Sequence, residues 1–535
     1  MPPEILGYIF RRNVTPVDDF DGLAKGSYNF VLVCHHWFKV ASSTPDLWSF
    51  WGNSLEQWST RYQHRGTAPI DVRLHMYGGL GRGSNVIFDG PLRDALRDRA
   101  ERDSIRTLHL SNENTDLLLP IPNYHTSNAN IDLLHSMLPV LIPSGQGIQH
   151  SSIESLILED FDVDVSDFFT RRHFSKLRRL SLSAGIGIST WAHLESHMTA
   201  LTTLSLTIGN PGTFPTPTIS QLLSIFASNP RLQRLSLSIP PIFEEYGDVS
   251  APQIVNLPYL KSLYFSGDFE PLLRVLHQID HPEPMDEMRF LFTGCRAADV
   301  SGILGPYLRD CIQRDGRFRD GLGICVRSSY RFISVEVATA SGIAGPTLSP
   351  RCRSPFLVFE VSLVENTGWG PSDKPWVDFV THTPREHVIC LEVSMGPDAV
   401  KEIIPTMPNI QELTLINKES YNGSLRPAHG PFAIMKLLPS PRYLRLYDFD
   451  VPYWASLVSY LVHQTSGGQV ISLRIAGEPV HICPHLVESI RNAVEELVLD
   501  ESLKEECRLG ICYEADESDS DGCVSLSTGS GYDSE

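Results

Sequence analysis

The sequence predicts a mixed α/β chain built as a stack of short parallel strands, each followed by a helix or an irregular return. Three observations predict it. The first is a recurring phrase, Leu-x-x-Leu-x-Leu with apolar substitutes, which reads IESLIL at 153–158, LRRLSL at 177–182, LTTLSL at 201–206 and LQRLSL at 232–237. The second is its spacing. Leu156, Leu180 and Leu204 stand 24 residues apart, Leu235 and Leu263 follow after 31 and 28 more, and Leu473 and Leu497 are again 24 apart. The third is the text between the phrases: TISQLLSIFASNP at 218–230 and EPLLRVLHQID at 270–280 carry apolar residues at helix period. A large α/β domain with parallel strands would also alternate strand and helix, but it would not repeat one phrase.

Further copies are IRTLHL at 105–110, LKSLYF at 260–265, VICLEV at 388–393, IQELTL at 410–415, VISLRI at 470–475 and VEELVL at 494–499. Fainter ones are MDEMRF at 285–290, FISVEV at 332–337, FLVFEV at 356–361 and YLRL at 443–446. A strand alternates faces, so Leu180 and Leu182 go inward together while Ser181 points the other way. One unit cannot bury its own apolar face, but a stack buries a continuous core. Phrase and period together resemble a leucine-rich repeat, and the resemblance implies an irregular solenoid, or horseshoe, over 104–505. The irregularity is textual: Glu113, Phe161, Gly185, Gly209 and Pro240 stand where the pattern has Asn.

Stacking would line up the middle positions of the strands: His109, Ile157, Ser181, Ser205, Ser236 and Tyr264, then Glu392, Thr414, Arg445 and Arg474. A solenoid's strand face is where partners usually sit. Tyr264, Arg445 and Arg474 are therefore the candidate substrate-binding residues, and the two arginines point to an acidic or phosphorylated ligand.

Composition narrows the function. Hydrophobic content of 42% supplies a substantial core, and a net charge of −19 works against nucleic acid and against an anionic membrane. The ten cysteines form no CxxC pair, and the opening MPPEILGYIF does not read as a signal peptide; reduced thiols in a cytoplasmic or nuclear protein are expected. GGLGRGSN at 78–85 misses the phosphate-cradle pattern because Ser84 takes the last glycine's place. His481, Cys483 and His485 lack a fourth zinc donor at a recognisable spacing. No cofactor, metal or catalytic residue is expected. The tail over 506–535 is rich in acids from Glu514 onward and has no Lys or Arg there, so it is expected to stay unordered.

The N-terminal region reads as docking helices. PPEILGYIF places Ile5, Leu6, Ile9 and Phe10 on one side behind two prolines and an acid. NFVLVCHHWFKVA at 29–41 places Phe30, Val33, Cys34, Trp37, Val40 and Ala41 on one wide apolar face, with His35, His36 and Lys39 elsewhere. That makes Cys34 a small buried residue, not a nucleophile. Thr44–Pro45 stops the helix, and DLWSFW adds a second apolar piece. So few residues make a small core, which leaves apolar surface for a partner.

PPEILGYIF followed by VLVCHHWFKVASSTPDLWSFW resembles the F-box, and the segment through TAPIDVRL and ALRDRAERDSIRTLHL resembles F-box proteins of mushroom-forming fungi. Two departures are Met1, where the family has Leu, and the long connection from Arg11 to Ser27 with acids at Asp18, Asp19 and Asp21. The resemblance implies a small helical F-box over 1–51, a linker strand and helix over 52–103, the repeats over 104–505 and the acidic tail over 506–535. It further implies the substrate receptor of a Skp–cullin–F-box ubiquitin ligase: not itself an enzyme, bound to a Skp-type adaptor and a cullin scaffold, and holding a protein substrate on its repeats. By matching position, Pro2, Ile5, Leu6, Val33, Cys34 and Trp37 would contact the adaptor or shape the docking face, with Trp37 as anchor. Two other readings fit the text: a leucine-rich-repeat scaffold with a degenerate F-box, and an enzyme whose site lies in the 295–385 stretch, where the phrase is faintest.

Overall fold

A computed structural model describes residues 2–13, 33–51, 63–77, 104–113, 149–150, 152–164, 169, 172–185, 188–208, 217–239, 254–282, 285–295, 305–318, 321–328, 332–339, 356–363, 384–394, 403–416, 441–447, 457–458, 460–462, 472–476 and 484–499. The stretch 78–103 that completes the linker, with the loop at 78–85 and the helix expected there, and the tail at 506–535 lie outside the described residues. The chain divides into two units, Met1–Val388 and Ile389–Glu535.

The first unit opens with helix α1 (Pro3–Asn13), helix α2 (His35–Ser42) and a 3-10 turn (Pro45–Trp48). The sheet follows. Its parallel run takes β1 (Phe50–Trp51), β2 (Ile70–Tyr77), β3 (Ile105–Glu113), β5 (Ser155–Asp164), β7 (Arg179–Gly185), β8 (Thr203–Ile208), β9 (Arg234–Ile239), β11 (Ser262–Asp268) and β13 (Glu287–Cys295) in that order. Two-residue parallel ladders join β4 (Gln149–His150) to β6 (Arg172–His173), and β10 (Val255–Asn256) to β12 (Ile279–Asp280). The strand placed in the linker by sequence, β2, pairs along its whole length with β3.

The alternation is clean where the phrase is cleanest. In β8 and β9, Leu204, Leu206, Leu235 and Leu237 are buried and the residues between them are not. At the entrance to each strand one backbone bond links neighbouring units. Glu154 N donates to Arg106 O, Arg178 N to Glu154 O, Thr202 N to Arg178 O, Gln233 N to Thr202 O, Lys261 N to Gln233 O and Asp286 N to Lys261 O, all at 2.7–2.8 Å. The same bond recurs six times along the parallel run.

Helices α3 (Ile188–His197), α4 (Ile219–Ala227) and α5 (Phe269–Leu276) form returns between strands. α4 begins with a capping box at Thr218 and Gln221. Gln221 N donates to Thr218 Oγ1 at 3.1 Å and Thr218 N to Gln221 Oε1 at 2.9 Å, which satisfies two orphan backbone donors. Just past α4, buried Asn229 receives a bond from Leu201 N at 3.1 Å and gives one to Ile225 O at 2.8 Å, pinning the return to the strand before it. Gly267 has φ +127, and a Cβ there would stand 1.6 Å from Ile239 O, so only glycine fits.

The faint stretch after β13 departs from the repeat. Past helix α6 (Gly305–Arg314) come β14 (Leu322–Ser328), β15 (Phe332–Thr339) and β16 (Leu357–Leu363). β14 and β15 pair antiparallel, β15 and β16 pair antiparallel, and β16 lies parallel to β13. FISVEV is therefore half of a hairpin rather than a repeat unit. The reason is length: β14 ends at Ser328 and β15 starts at Phe332, too few residues for a parallel crossover. FLVFEV keeps the repeat register, with Phe359 opposite Phe290.

The second unit is shorter and wholly parallel in its sheet: β17 (Val388–Ser394), β18 (Glu412–Ile416), β19 (Tyr443–Tyr447), β20 (Ser472–Ala476) and β21 (Glu496–Leu499), with helix α7 (Pro484–Ala493) before β21. The expected mixed α/β chain with a large parallel sheet is thus what the structure has. None of the described helices is long and apolar enough to cross a membrane.

Candidate binding surfaces

Three surfaces collect the residues singled out by sequence. The first is the helix pair. Leu6 and Phe10 of α1, Val40 and Ala41 of α2, Leu47 and Trp48 of the 3-10 turn and Phe50 of β1 form one buried cluster. Trp48 Nε1 donates to Ala41 O at 2.8 Å, and the ring of Trp37 meets Phe10 edge-on at 5.2 Å between centroids. The core runs directly into the sheet, since Asp71 N at the start of β2 donates to Ser49 O at 2.9 Å.

The second helix differs from its sequence reading. Cys34 is extended and serves as the N-cap, so α2 starts at His35 and not upstream. Val33 and Cys34 are both exposed, whereas Val40 and Ala41 are buried. The expectation of a buried Cys34 is corrected accordingly; Phe30 lies outside the described residues. His35, His36 and Lys39 are exposed, as their positions on the wheel imply.

Of the six residues matched to a docking face, Pro2, Ile5, Val33 and Cys34 are exposed, Trp37 is partly buried and Leu6 is 1% exposed inside the cluster. Leu6 and Trp37 thus shape the face from within. Sequence reasoning missed Tyr8 and Phe38, which are 58% and 46% exposed. A wheel would have found them: Tyr8 is one turn from Ile5, and Phe38 one turn from Cys34. With Ile5 at 51% and Val33 at 58%, they give two short helices an unusual load of exposed apolar surface.

The second surface is the outward face of the first unit's sheet. Its register runs His109, Ile157, Ser181, Ser205, Ser236, Tyr264 and Arg289, each opposite the next. Two residues earlier along each strand comes Arg179, Thr203, Arg234, Ser262 and Glu287, and two later comes Ser183, Thr207, Ser238 and Ser266. His109 Nε2 lies 2.9 Å from Glu159 Oε2, and Arg289 Nε donates to Glu287 at 2.6 Å.

The third surface is the corresponding face of the second unit. Glu392, Thr414, Arg445, Arg474 and Val498 stand in one row, and Cys390, Glu412, Tyr443, Ser472 and Glu496 in the next. Here one arginine is answered by an acid of the same face. Arg445 lies 3.7 Å from Glu412 with only 12% of its side chain exposed, and Ser472 Oγ donates to Glu496 at 2.9 Å. Burial holds the Glu412 carboxyl above its ordinary range, while Arg445 and the Cys390 thiol pull it the other way. Glu392 is buried in the middle row. The register therefore gathers Arg445 and Arg474 on neighbouring strands, and it gathers acids with them; Tyr264 belongs to the first unit's face. His481 and Cys483 lie outside the described residues, among which no group of three or more His, Cys, Asp and Glu side chains is arranged to hold a metal ion.

No family model matches the chain, and no curated protein matches it. Among solved structures, the crystal structure of a TLR13–ssRNA13 complex is similar to this chain at 12% sequence identity and a TM-score of 0.27. The likeness covers 65% of this chain and 39% of that one.

Proposed function

We propose that this chain is the substrate-recognition subunit of a Skp–cullin–F-box ubiquitin ligase. Its helix pair docks the Skp-type adaptor, and its leucine-rich-repeat sheet holds a protein substrate for ubiquitin transfer by other subunits. One observation carries the reading: Ile5 and Tyr8 on α1 and Val33 and Phe38 at α2 expose apolar side chains on helices whose text resembles the F-box and whose inner faces already share a core. Large apolar groups left in water on so small a helical unit favour burial against a partner, and aromatic anchors there are worth about 2 kcal/mol or more each on truncation.

The anchor differs from the one the motif suggests. Trp37 packs on Phe10, so its removal loosens the helix pair itself. The outward residues are the ones to change. The full-length protein should co-precipitate the Skp-type adaptor. An Ile5→Asp, Phe38→Asp double variant should lose it by more than about thirtyfold in affinity while melting like the native chain. A folded native chain that captures no adaptor would overturn the proposal and favour a repeat scaffold with a degenerate F-box.

A further inference from the structure

The two sheet faces differ in what their charges do. On β7, β8, β9 and β11 the outward positions carry hydroxyls, Tyr264 and two exposed arginines, Arg179 and Arg234. Neither guanidinium has an ion-pair partner among the described residues. The acid on the outward face of these four strands, among described positions, is Asp268 at the far end of β11, where it precedes α5. Farther out, the face is bounded by Glu159 on β5 and Glu287 on β13, each engaged by a neighbour, His109 and Arg289.

Arg179 and Arg234 stand in one row with Thr203 between them, hence about 10 Å apart at the Cα atoms. That gap matches carboxylates two or three residues apart on an extended chain. The Ser205 and Ser236 hydroxyls beside them can bond a backbone that crosses the strands, and neither is large enough to block it. In a protein of net charge −19, a face with two cations unpaired among the described residues is a local reversal of sign.

We infer that the β7–β11 face binds an extended, carboxylate-rich segment of a partner protein, with Arg179 and Arg234 as its charge contacts. This names the substrate class for the receptor proposed above and rests on that reading for its biological meaning, though not for its test. It also moves the acidic-ligand expectation away from Arg445 and Arg474, whose face already contains its own acids. Nucleic acid fits less well, because two cations release few counterions against a chain of this net charge.

Fluorescence anisotropy tests it with the full-length chain alone, without adaptor, so a negative result here leaves adaptor capture untouched and the reverse. The probe is a labelled peptide of alternating Glu and Ser, about ten residues long, enough to cross four strands spanning about 14 Å. Native protein should bind it, and binding should weaken as salt rises. Arg179→Ala, Arg234→Ala should weaken it about tenfold, Ser205→Glu should weaken it at least as much, and Arg445→Ala, Arg474→Ala should leave it unchanged. Unchanged melting of each variant separates lost contact from lost fold. No binding by the native chain would overturn the inference. So would equal loss in the Arg445, Arg474 variant, or a single-stranded oligonucleotide that binds as tightly as the peptide.

Discussion

The sheets of the two units are written in the same phrase and differ on the side the phrase leaves free. On the inward side, Leu204, Leu206, Leu235 and Leu237 in the first unit and Leu413, Leu444, Leu446 and Leu473 in the second are all buried. On the outward side, strands β7–β11 of the first unit offer hydroxyls and two arginines with no ion-pair partner among the described residues, whereas the second unit pairs Arg445 with Glu412 and buries Glu392. The lesson is that a shared core leaves the outer rows chemically independent. One face answers Arg445 with an acid of its own, and the other leaves Arg179 and Arg234 without an ion-pair partner among the described residues.

The comparison makes predictions of decreasing size. The inward sides should be equivalent: Leu204→Ala and Leu473→Ala should each cost about 2–5 kcal/mol, read by denaturant unfolding. A tenfold difference in folding equilibrium between them would break the equivalence. Gly267→Ala, which drives a methyl group into Ile239 O, should cost about 3 kcal/mol in the same measurement and affect the first unit's unfolding alone. Charge removal should separate the faces. Arg445→Ala strands the half-buried Glu412 and should cost about 1–2 kcal/mol, while Arg234→Ala should change stability by less than about 0.5 kcal/mol. Equal effects on melting would mean that both faces are internally satisfied.

The smallest effect is on pH dependence. The folded Glu412 carboxyl lies above its ordinary value, so between the two values the folded state binds more protons than the unfolded state. Its contribution to stability is therefore favourable at low pH and is lost as pH rises through the folded value. Glu412→Gln should remove that dependence. Melting curves between about pH 4 and pH 7 should show the native chain losing more stability than the variant across the window just above the normal carboxylate range. Parallel curves would contradict the burial of this group.

Much of this was legible in the sequence because a strand's period is two and a stack's register is set by its leucines. Ser181, Ser205, Ser236 and Tyr264 could be placed in one row from text alone, and the structure pairs them so. The hairpin was not legible, since FISVEV carries a strand's alternation whichever way the strand runs. The break at Cys34 was hidden for a related reason: apolar spacing in NFVLVCHHWFKVA fits one helix, and no Pro or Gly marks the extended residue. The text did place Arg445 and Arg474 in one row with Glu392, but it did not show the ion pair of Arg445 with Glu412 in the next row. That depends on which strands become neighbours.

The hairpin sets a timetable for synthesis. Most neighbouring strands of the first unit meet after 24–31 residues of chain, but Met288 of β13 must wait for Leu357. At about 5–20 residues per second, a ribosome leaves the outer edge of β13 without its parallel neighbour for roughly 3–14 s. During that interval Phe290 and Phe292 lie on an open strand edge, the kind that invites pairing with another chain. The vulnerable moment in making this protein falls there, late in the first unit, and slowing translation across 296–356 would lengthen it.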